Sequence, residues 1–144
     1  MKRTGILSLL LLACLTIPMP AIAGDFDWLK QLNLTAGNDL SDFRATLDTR
    51  FHVGDAQVRV VLSNVTSPAD SYMVLRLSEL SDRPVDDVLD VYRNNHDGGW
   101  GVVARHLGIK PGSRAFHALK RGHDLGQAGH GRGRSGKTRG NGKG

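Results

Sequence analysis

Residues 67–80 read SPADSYMVLRLSEL, and this stretch decides the fold of the chain. Ser67 can accept a hydrogen bond from the backbone N–H of Asp70, and Asp70 can accept one from that of Ser67. Pro68 suits the first helical position, where its missing N–H has no cost. The apolar side chains that follow surround most of the helix circumference, so the stretch predicts a buried central helix. These side chains are Tyr72, Met73, Val74, Leu75, Leu77 and Leu80.

Shorter apolar stripes with helical spacing lie on both sides of this central helix. In one of them, residues 58–60 also alternate between apolar and polar, so a strand is the alternative there. A helix is favoured because the whole stripe fits it and no partner strand is apparent. Together the stripes predict an all-α domain, a small bundle of five or six short helices over residues 24–122. The stripes cover residues 28–32, 40–51, 58–65, 85–92, 100–107 and 115–119.

Residues that start or stop helices separate these stripes. Pro84 again suits a first helical position. Residues 94–99 include two glycines and predict a turn. Gly108 predicts a helix end, and Ser113 is a candidate N-cap for the last helix.

The first 23 residues have the pattern of a secretory signal. Lys2 and Arg3 give a positive start, an apolar run follows over residues 5–17, and residues 21–23 read AIA, which suits a signal-peptidase site. The apolar run is too short for a membrane-spanning helix. We therefore expect cleavage after Ala23 and a periplasmic or secreted protein, with no transmembrane span in the mature chain.

The only cysteine, Cys14, lies inside this signal. Residues 11–14 read LLAC, so a lipoprotein cleavage site at Cys14 is an alternative. An ordinary signal is favoured because the apolar run continues past Cys14 to a cleavage site. A chain that begins after Ala23 has no thiol and can form no disulfide.

Charge is distributed unevenly along the chain. Residues 24–97 contain seven Lys and Arg against 13 Asp and Glu, whereas residues 98–144 contain ten Lys and Arg and a single acid, Asp124. This polarity favours attraction of the C-terminal half to anions; the alternative is that the two halves neutralise each other. Eight of the last 20 residues are glycine, and the composition predicts that residues 123–144 form a disordered basic tail.

The basic half predicts a non-enzymatic binding module of the bacterial envelope that contacts an anionic partner. The partner would be a lipopolysaccharide, a polysaccharide, a nucleic acid or an acidic protein, since charge alone distinguishes none of them. For the tail, the alternative is a segment that only keeps the protein soluble. The candidate polyanion-binding residues are Arg105, Lys110, Arg114, Lys120, Arg121, Arg132, Arg134, Lys137, Arg139 and Lys143.

Residues 99–120 read GWGVVARHLGIKPGSRAFHALK and have some features of a helix-turn-helix. Ala104 would take the close-packing position, Gly108 the turn and Ile109 the apolar turn position. A nucleic-acid binder is therefore the alternative function. The connection is longer than this motif normally has, and a plain pair of packed helices is favoured.

The same stretch, with residues 68–73 upstream, resembles a group of uncharacterised exported bacterial helical proteins. The shared phrase is GWG-x-x-A-x-x-LGIKPGS-x-x-FHALK. The resemblance covers about half of the mature chain. It implies an exported helical domain with a basic or glycine-rich end, and it transfers no activity, cofactor or catalytic residue.

Residue patterns for catalysis or metal binding are weak. His117, His123 and His130 lack the i, i+4 spacing that places two metal ligands on one helical face. Asp86 and Asp90 have that spacing, but acidic residues near a helix start are the normal response to the helix dipole. No Gly-x-Ser-x-Gly nucleophile motif occurs. We therefore expect no enzyme activity and no cofactor; a metal-handling protein is the least favoured alternative.

Overall fold

The computed structural model describes residues 26–126, which form seven α-helices and one turn of 3-10 helix, His96–Gly98, with no strand in this part of the chain. The predicted all-α class is confirmed. The helices number seven because every apolar stripe forms a helix of its own. They are α1 Trp28–Asn38, α2 Leu40–Phe51, α3 Asp55–Ser63, α4 Pro68–Ser81, α5 Val85–Asn95, α6 Trp100–His106 and α7 Arg114–Lys120.

The predicted signal, residues 1–23, and residues 127–144 of the predicted tail lie outside the described residues. Among the helices of residues 26–126, none combines the length and the apolar character needed to cross a membrane.

Helix α4 is the centre of the domain, as the sequence predicts. It contacts α1, α2, α3, α5 and α7. Met73, Val74 and Leu77 are completely buried. The α3 segment is helical rather than extended, and its Val58 and Val61 are also completely buried in the same core.

The start of α4 fixes the positions of two neighbouring helices. The backbone N–H of Ser67 donates to Asp70 Oδ2 at 3.0 Å, as expected for a capping box. Asn33 of α1 accepts a hydrogen bond from the Ala69 N–H at 2.7 Å and donates to Ser67 Oγ at 3.2 Å. From α5, the Tyr92 hydroxyl lies 3.2 Å from Asp70 Oδ2. Hydrogen bonds at the start of α4 therefore fix the positions of α1 and α5 relative to α4.

Short signals in the sequence set the boundaries of the later helices. Helix α5 begins at Val85, so Pro84 is its N-cap rather than its first helical residue. Gly108 has φ +85° and ends α6 in a Schellman motif, in which the Gly108 N–H donates to the Arg105 carbonyl and the Ile109 N–H to that of Ala104. As predicted, Ser113 caps α7: its Oγ accepts from the Phe116 N–H at 3.1 Å.

The folded residues continue beyond Gly122, where the sequence pattern predicts the start of the tail. The His123 ring lies 5.9 Å from the ring of Trp28, and Leu125 packs against the core. Asp124 forms ion pairs with the helical domain. We call residues 122–126 the C-terminal segment; it has no helix of its own and contacts α1, α2 and α4.

Candidate functional site

The first candidate site is the basic segment, residues 105–121, which carries five of the predicted polyanion-binding residues. Arg105, Lys110, Arg114 and Arg121 are exposed, and Lys120 is half-buried with its Nζ 5.7 Å from the centre of the Phe116 ring. The other predicted residues lie outside the described part of the chain. They are Arg132, Arg134, Lys137, Arg139 and Lys143.

Helix α7 presents a basic stripe to solvent. Its buried face consists of Phe116 and Leu119. At 100° per residue, Arg114, His117 and Arg121 lie on the opposite face, and all three are exposed. The apolar periodicity that buries one face of α7 therefore also aligns its charges on the other.

The cations of the basic segment differ from those of the preceding helices in their partners. Among residues 26–126, no carboxylate lies within ion-pair distance of Arg105, Lys110 or Arg114. In residues 26–97, every Lys and Arg except Arg83 lies at most 3.9 Å from a carboxylate. These paired cations are Lys30, Arg44, Arg50, Arg59, Arg76 and Arg93.

The connection between α6 and α7 bears on the helix-turn-helix interpretation. Residues 107–113 separate the two helices, whereas the DNA-binding motif uses a turn of three or four residues. Ala104 and Ile109 are buried, and a Cβ at Gly101 would lie 4.0 Å from the Phe116 ring. The motif positions therefore pack the helices together, which favours a plain helical pair.

The second candidate site surrounds Asp124, and sequence reasoning did not identify it. Asp124 Oδ2 lies 2.7 Å from Arg50 Nη2 and 3.8 Å from Arg76 Nη1, and Oδ1 accepts a hydrogen bond from the Tyr72 hydroxyl at 3.1 Å. Glu79 also binds both arginines: Arg50 donates to its two oxygens at 3.1 and 3.2 Å, and Arg76 donates to Oε2. Two guanidinium groups and two carboxylates thus form one ion-pair cluster that links α2, α4 and the C-terminal segment.

The pKa values in this cluster follow from burial and ion pairing. Burial and the nearby charge of Asp124 raise the pKa of Tyr72 to about 12. The hydroxyl therefore stays protonated and acts as a hydrogen-bond donor. Burial opposes ionisation of Asp124, but the hydrogen bond and charge of Arg50 outweigh it and lower the pKa of Asp124. Burial is likewise outweighed at Glu79, whose pKa is lowered by hydrogen bonds from Arg50 and Arg76. Both carboxylates are therefore ionised at neutral pH.

Aromatic side chains pack around Tyr72, next to these charges. Tyr72 is edge-on to Trp28 at 5.6 Å between ring centroids and to Phe51 at 5.5 Å. The His123 ring lies 6.2 Å from that of Tyr72. Trp28 Nε1 and Arg76 Nε are buried and donate to no acceptor among the described residues. The cluster therefore has two hydrogen-bond donors that the fold itself does not use.

A cavity of about 350 Å³ opens next to Asp124. The side chains of Arg76 and Arg121 line it together with His123 and Asp124. Arg121 therefore belongs both to the basic stripe of α7 and to the rim of this cavity.

The described residues contain no group of three or more His, Cys, Asp or Glu side chains able to hold a metal ion. No protein-family model, no curated protein and no solved structure matches the chain. Function is therefore inferred from the charges and contacts described above.

Proposed function

We propose that this protein is an exported, non-enzymatic binding module that contacts an anionic polymer through its basic C-terminal half. The observation that carries this proposal is the contrast in ion pairing: exposed Arg105, Lys110 and Arg114 have no carboxylate partner among residues 26–126. Export rests on the signal pattern of residues 1–23.

Unpaired surface cations are suited to binding a polyanion. An arginine that already bonds a carboxylate must give up that partner before it can contact a phosphate or sulfate group, whereas Arg105 and Arg114 have no such bond to break. Neutralising a polymer charge also releases condensed counterions, which supplies most of the free energy of non-specific binding. The predicted tail residues, from Arg132 to Lys143, would add to the same attraction.

Recognition by charge predicts little discrimination between polymer sequences. The exposed face of α7 carries Arg114, His117 and Arg121 on a helix of only seven residues. Sequence-specific proteins place a helix or a β-ribbon in the major groove of DNA to contact base edges. We expect the side chains of this short helix to contact the charged polymer backbone instead. The proposal therefore concerns anionic polymers as a class, with sulfated polysaccharide, lipopolysaccharide and DNA as representative probes.

The test measures binding to heparin, lipopolysaccharide and DNA at low and physiological salt. The protein is taken from the extracytoplasmic fraction, where its intact mass should correspond to a chain that begins at Gly24. A triple variant, Arg105→Gln with Lys110→Gln and Arg114→Gln, should bind at least about tenfold more weakly at low salt. With DNA, its slope of log K against log salt should be shallower by about 0.9 for each lost contact.

The matched control removes the same number of charges from the other half of the domain. Arg59, Arg83 and Arg93 are also exposed, and their replacement by Gln should leave binding nearly unchanged. An equal loss in both triple variants would show that net charge, and not the basic segment, controls binding. If the wild-type protein binds none of the three polymers, the proposal is wrong.

A further inference from the structure

Arg50, Tyr72 and Arg76 form a cradle around a single carboxylate group. Arg50 Nη2 is 2.7 Å from one oxygen of the Asp124 carboxylate, and the Tyr72 hydroxyl is 3.1 Å from the other. Arg76 adds a second guanidinium 3.8 Å away. Two cations and a neutral hydroxyl donor are a strong arrangement for binding an anion with two oxygens.

The cradle does not depend on Asp124 for its shape. Arg50 extends from α2, and Tyr72 and Arg76 extend from the buried central helix α4. Glu79, also on α4, accepts hydrogen bonds from both guanidinium groups. The donors are therefore positioned in advance, which lowers the entropic cost of binding a carboxylate.

Asp124 fills the cradle in this structure but, unlike the donors around it, does not extend from a helix. Asp124 belongs to the C-terminal segment, which lies outside the helices, and its side chain is 30% exposed. The cavity of about 350 Å³ reaches the same carboxylate, and Arg121 on its rim supplies a further cation. Trp28 Nε1 and Arg76 Nε are buried nearby without acceptors. The cavity thus gives an incoming ligand access to Arg76 and to the carboxylate of Asp124, and the other donors are reached once Asp124 leaves.

We propose that this cradle binds the aspartate or glutamate side chain of an acidic peptide segment from another protein, and that Asp124 is an internal ligand which that segment displaces. A peptide is the fitting class because the internal ligand is itself one: its carboxylate enters the cradle while the neighbouring His123 ring lies against Trp28 and Tyr72. The proposal does not rest on the polyanion-binding function proposed above, although the two sites share Arg121.

The test removes the internal ligand and supplies its peptide in solution. Full-length Asp124→Ala protein is titrated calorimetrically with the capped pentapeptide GHDLG, which corresponds to residues 122–126. The matched control peptide is GHNLG, which differs only in lacking the charge. We expect GHDLG to bind Asp124→Ala at least tenfold more tightly than GHNLG does. Wild-type protein should bind GHDLG at least tenfold more weakly than the variant, because its own Asp124 competes.

A second variant identifies the cradle as the binding site. Adding Arg50→Gln to Asp124→Ala should abolish the preference for GHDLG, whereas adding Arg59→Gln, at an exposed position, should not. If Asp124→Ala fails to fold, the Asp124→Asn variant, which keeps the side-chain shape, replaces it throughout.

Three results would overturn the proposal. Equal affinity of the variant for GHDLG and GHNLG would mean that Asp124 only fastens the C-terminal segment. A preference that survives Arg50→Gln would place the binding elsewhere. A wild-type protein that dimerises in the absence of peptide, and loses this property in Asp124→Ala, would make a second copy of this chain the ligand.

Discussion

Residues 26–97 and residues 98–126 use their charges in opposite ways. In the first part, helices of 9–14 residues carry cations that almost all bond a neighbouring carboxylate. In the second part, two helices of seven residues carry exposed cations, and Arg105, Lys110 and Arg114 have no such partner within the described structure. Cations in the first part are mostly paired within the fold, whereas these three cations in the second part face solvent.

Asp124 is the exception that joins the two parts. It is the single acid of residues 98–144, and it pairs with Arg50 and Arg76 of the first part instead of with the cations near it in sequence. The basic segment itself contains no acid, and the single acid that follows it along the chain is paired with arginines of the first part.

The largest expected effect tests whether the first part holds the core. Leu77 lies on α4 and is 0% exposed, so Leu77→Ala should lower the free energy of unfolding by about 2–5 kcal/mol. Leu34→Ala is the matched control, because Leu34 is 66% exposed and its loss should cost less than about 0.5 kcal/mol. Urea denaturation measures both. Similar values for the two variants would mean that α4 is not the centre of the core.

A smaller effect tests the link between the two parts. Asp124→Asn should lower the free energy of unfolding at pH 7 by about 1–3 kcal/mol, because it weakens hydrogen bonds to Arg50 and Tyr72. Asp90→Asn is the control, since Asp90 pairs with Arg93 at an exposed position and should cost less than about 1 kcal/mol.

The Asp124 effect should also depend on pH in a defined direction. Its pKa in the folded protein is lowered from the ordinary value of 3.8, so its contribution is complete above that value and is lost as the pH falls through the lowered pKa. The difference between wild type and Asp124→Asn should be constant from pH 7 to about 5 and shrink below pH 3.8. A difference that grows as the pH falls would contradict the ion pairing.

The smallest effect tests whether the basic segment is uninvolved in folding. The Arg105→Gln, Lys110→Gln and Arg114→Gln triple variant should change the free energy of unfolding by no more than about 0.5 kcal/mol. Arg44→Gln serves as the comparison, because it breaks a 2.6 Å pair with Asp55 and should cost up to about 1 kcal/mol. Thermal denaturation at low salt resolves the two. A greater loss in the triple variant would show that these cations have partners in the fold.

Local signals were sufficient to predict most of the architecture. The capping residues Ser67 and Asp70 act within one helical turn, and Gly108 acts on the turn that precedes it, so their effects are readable in short windows of sequence. Apolar periodicity likewise identified α3 as a helix despite its β-branched residues. Its Val58 and Val61 meet the core at helical spacing, which outweighs their preference for strands.

The cradle around Asp124 could not be predicted in this way. Tyr72 and Arg50 are 52 and 74 residues away from Asp124, and no periodic pattern records a contact over such a distance. Composition was also misleading, because Asp124 stands next to a glycine-rich basic stretch that predicts a tail. Its role depends on where α2 and α4 place their side chains in three dimensions.

The contact between Trp28 and His123 joins two residues that lie close to the two boundaries of the domain. Trp28 opens α1, and a Cβ at Gly122 would lie 4.0 Å from its ring. Beyond these contacts the chain continues along α1, where Leu125 and Gly126 lie beside Leu32 and Thr35. A circular permutant that joins the two boundaries would therefore need a linker that runs back along α1.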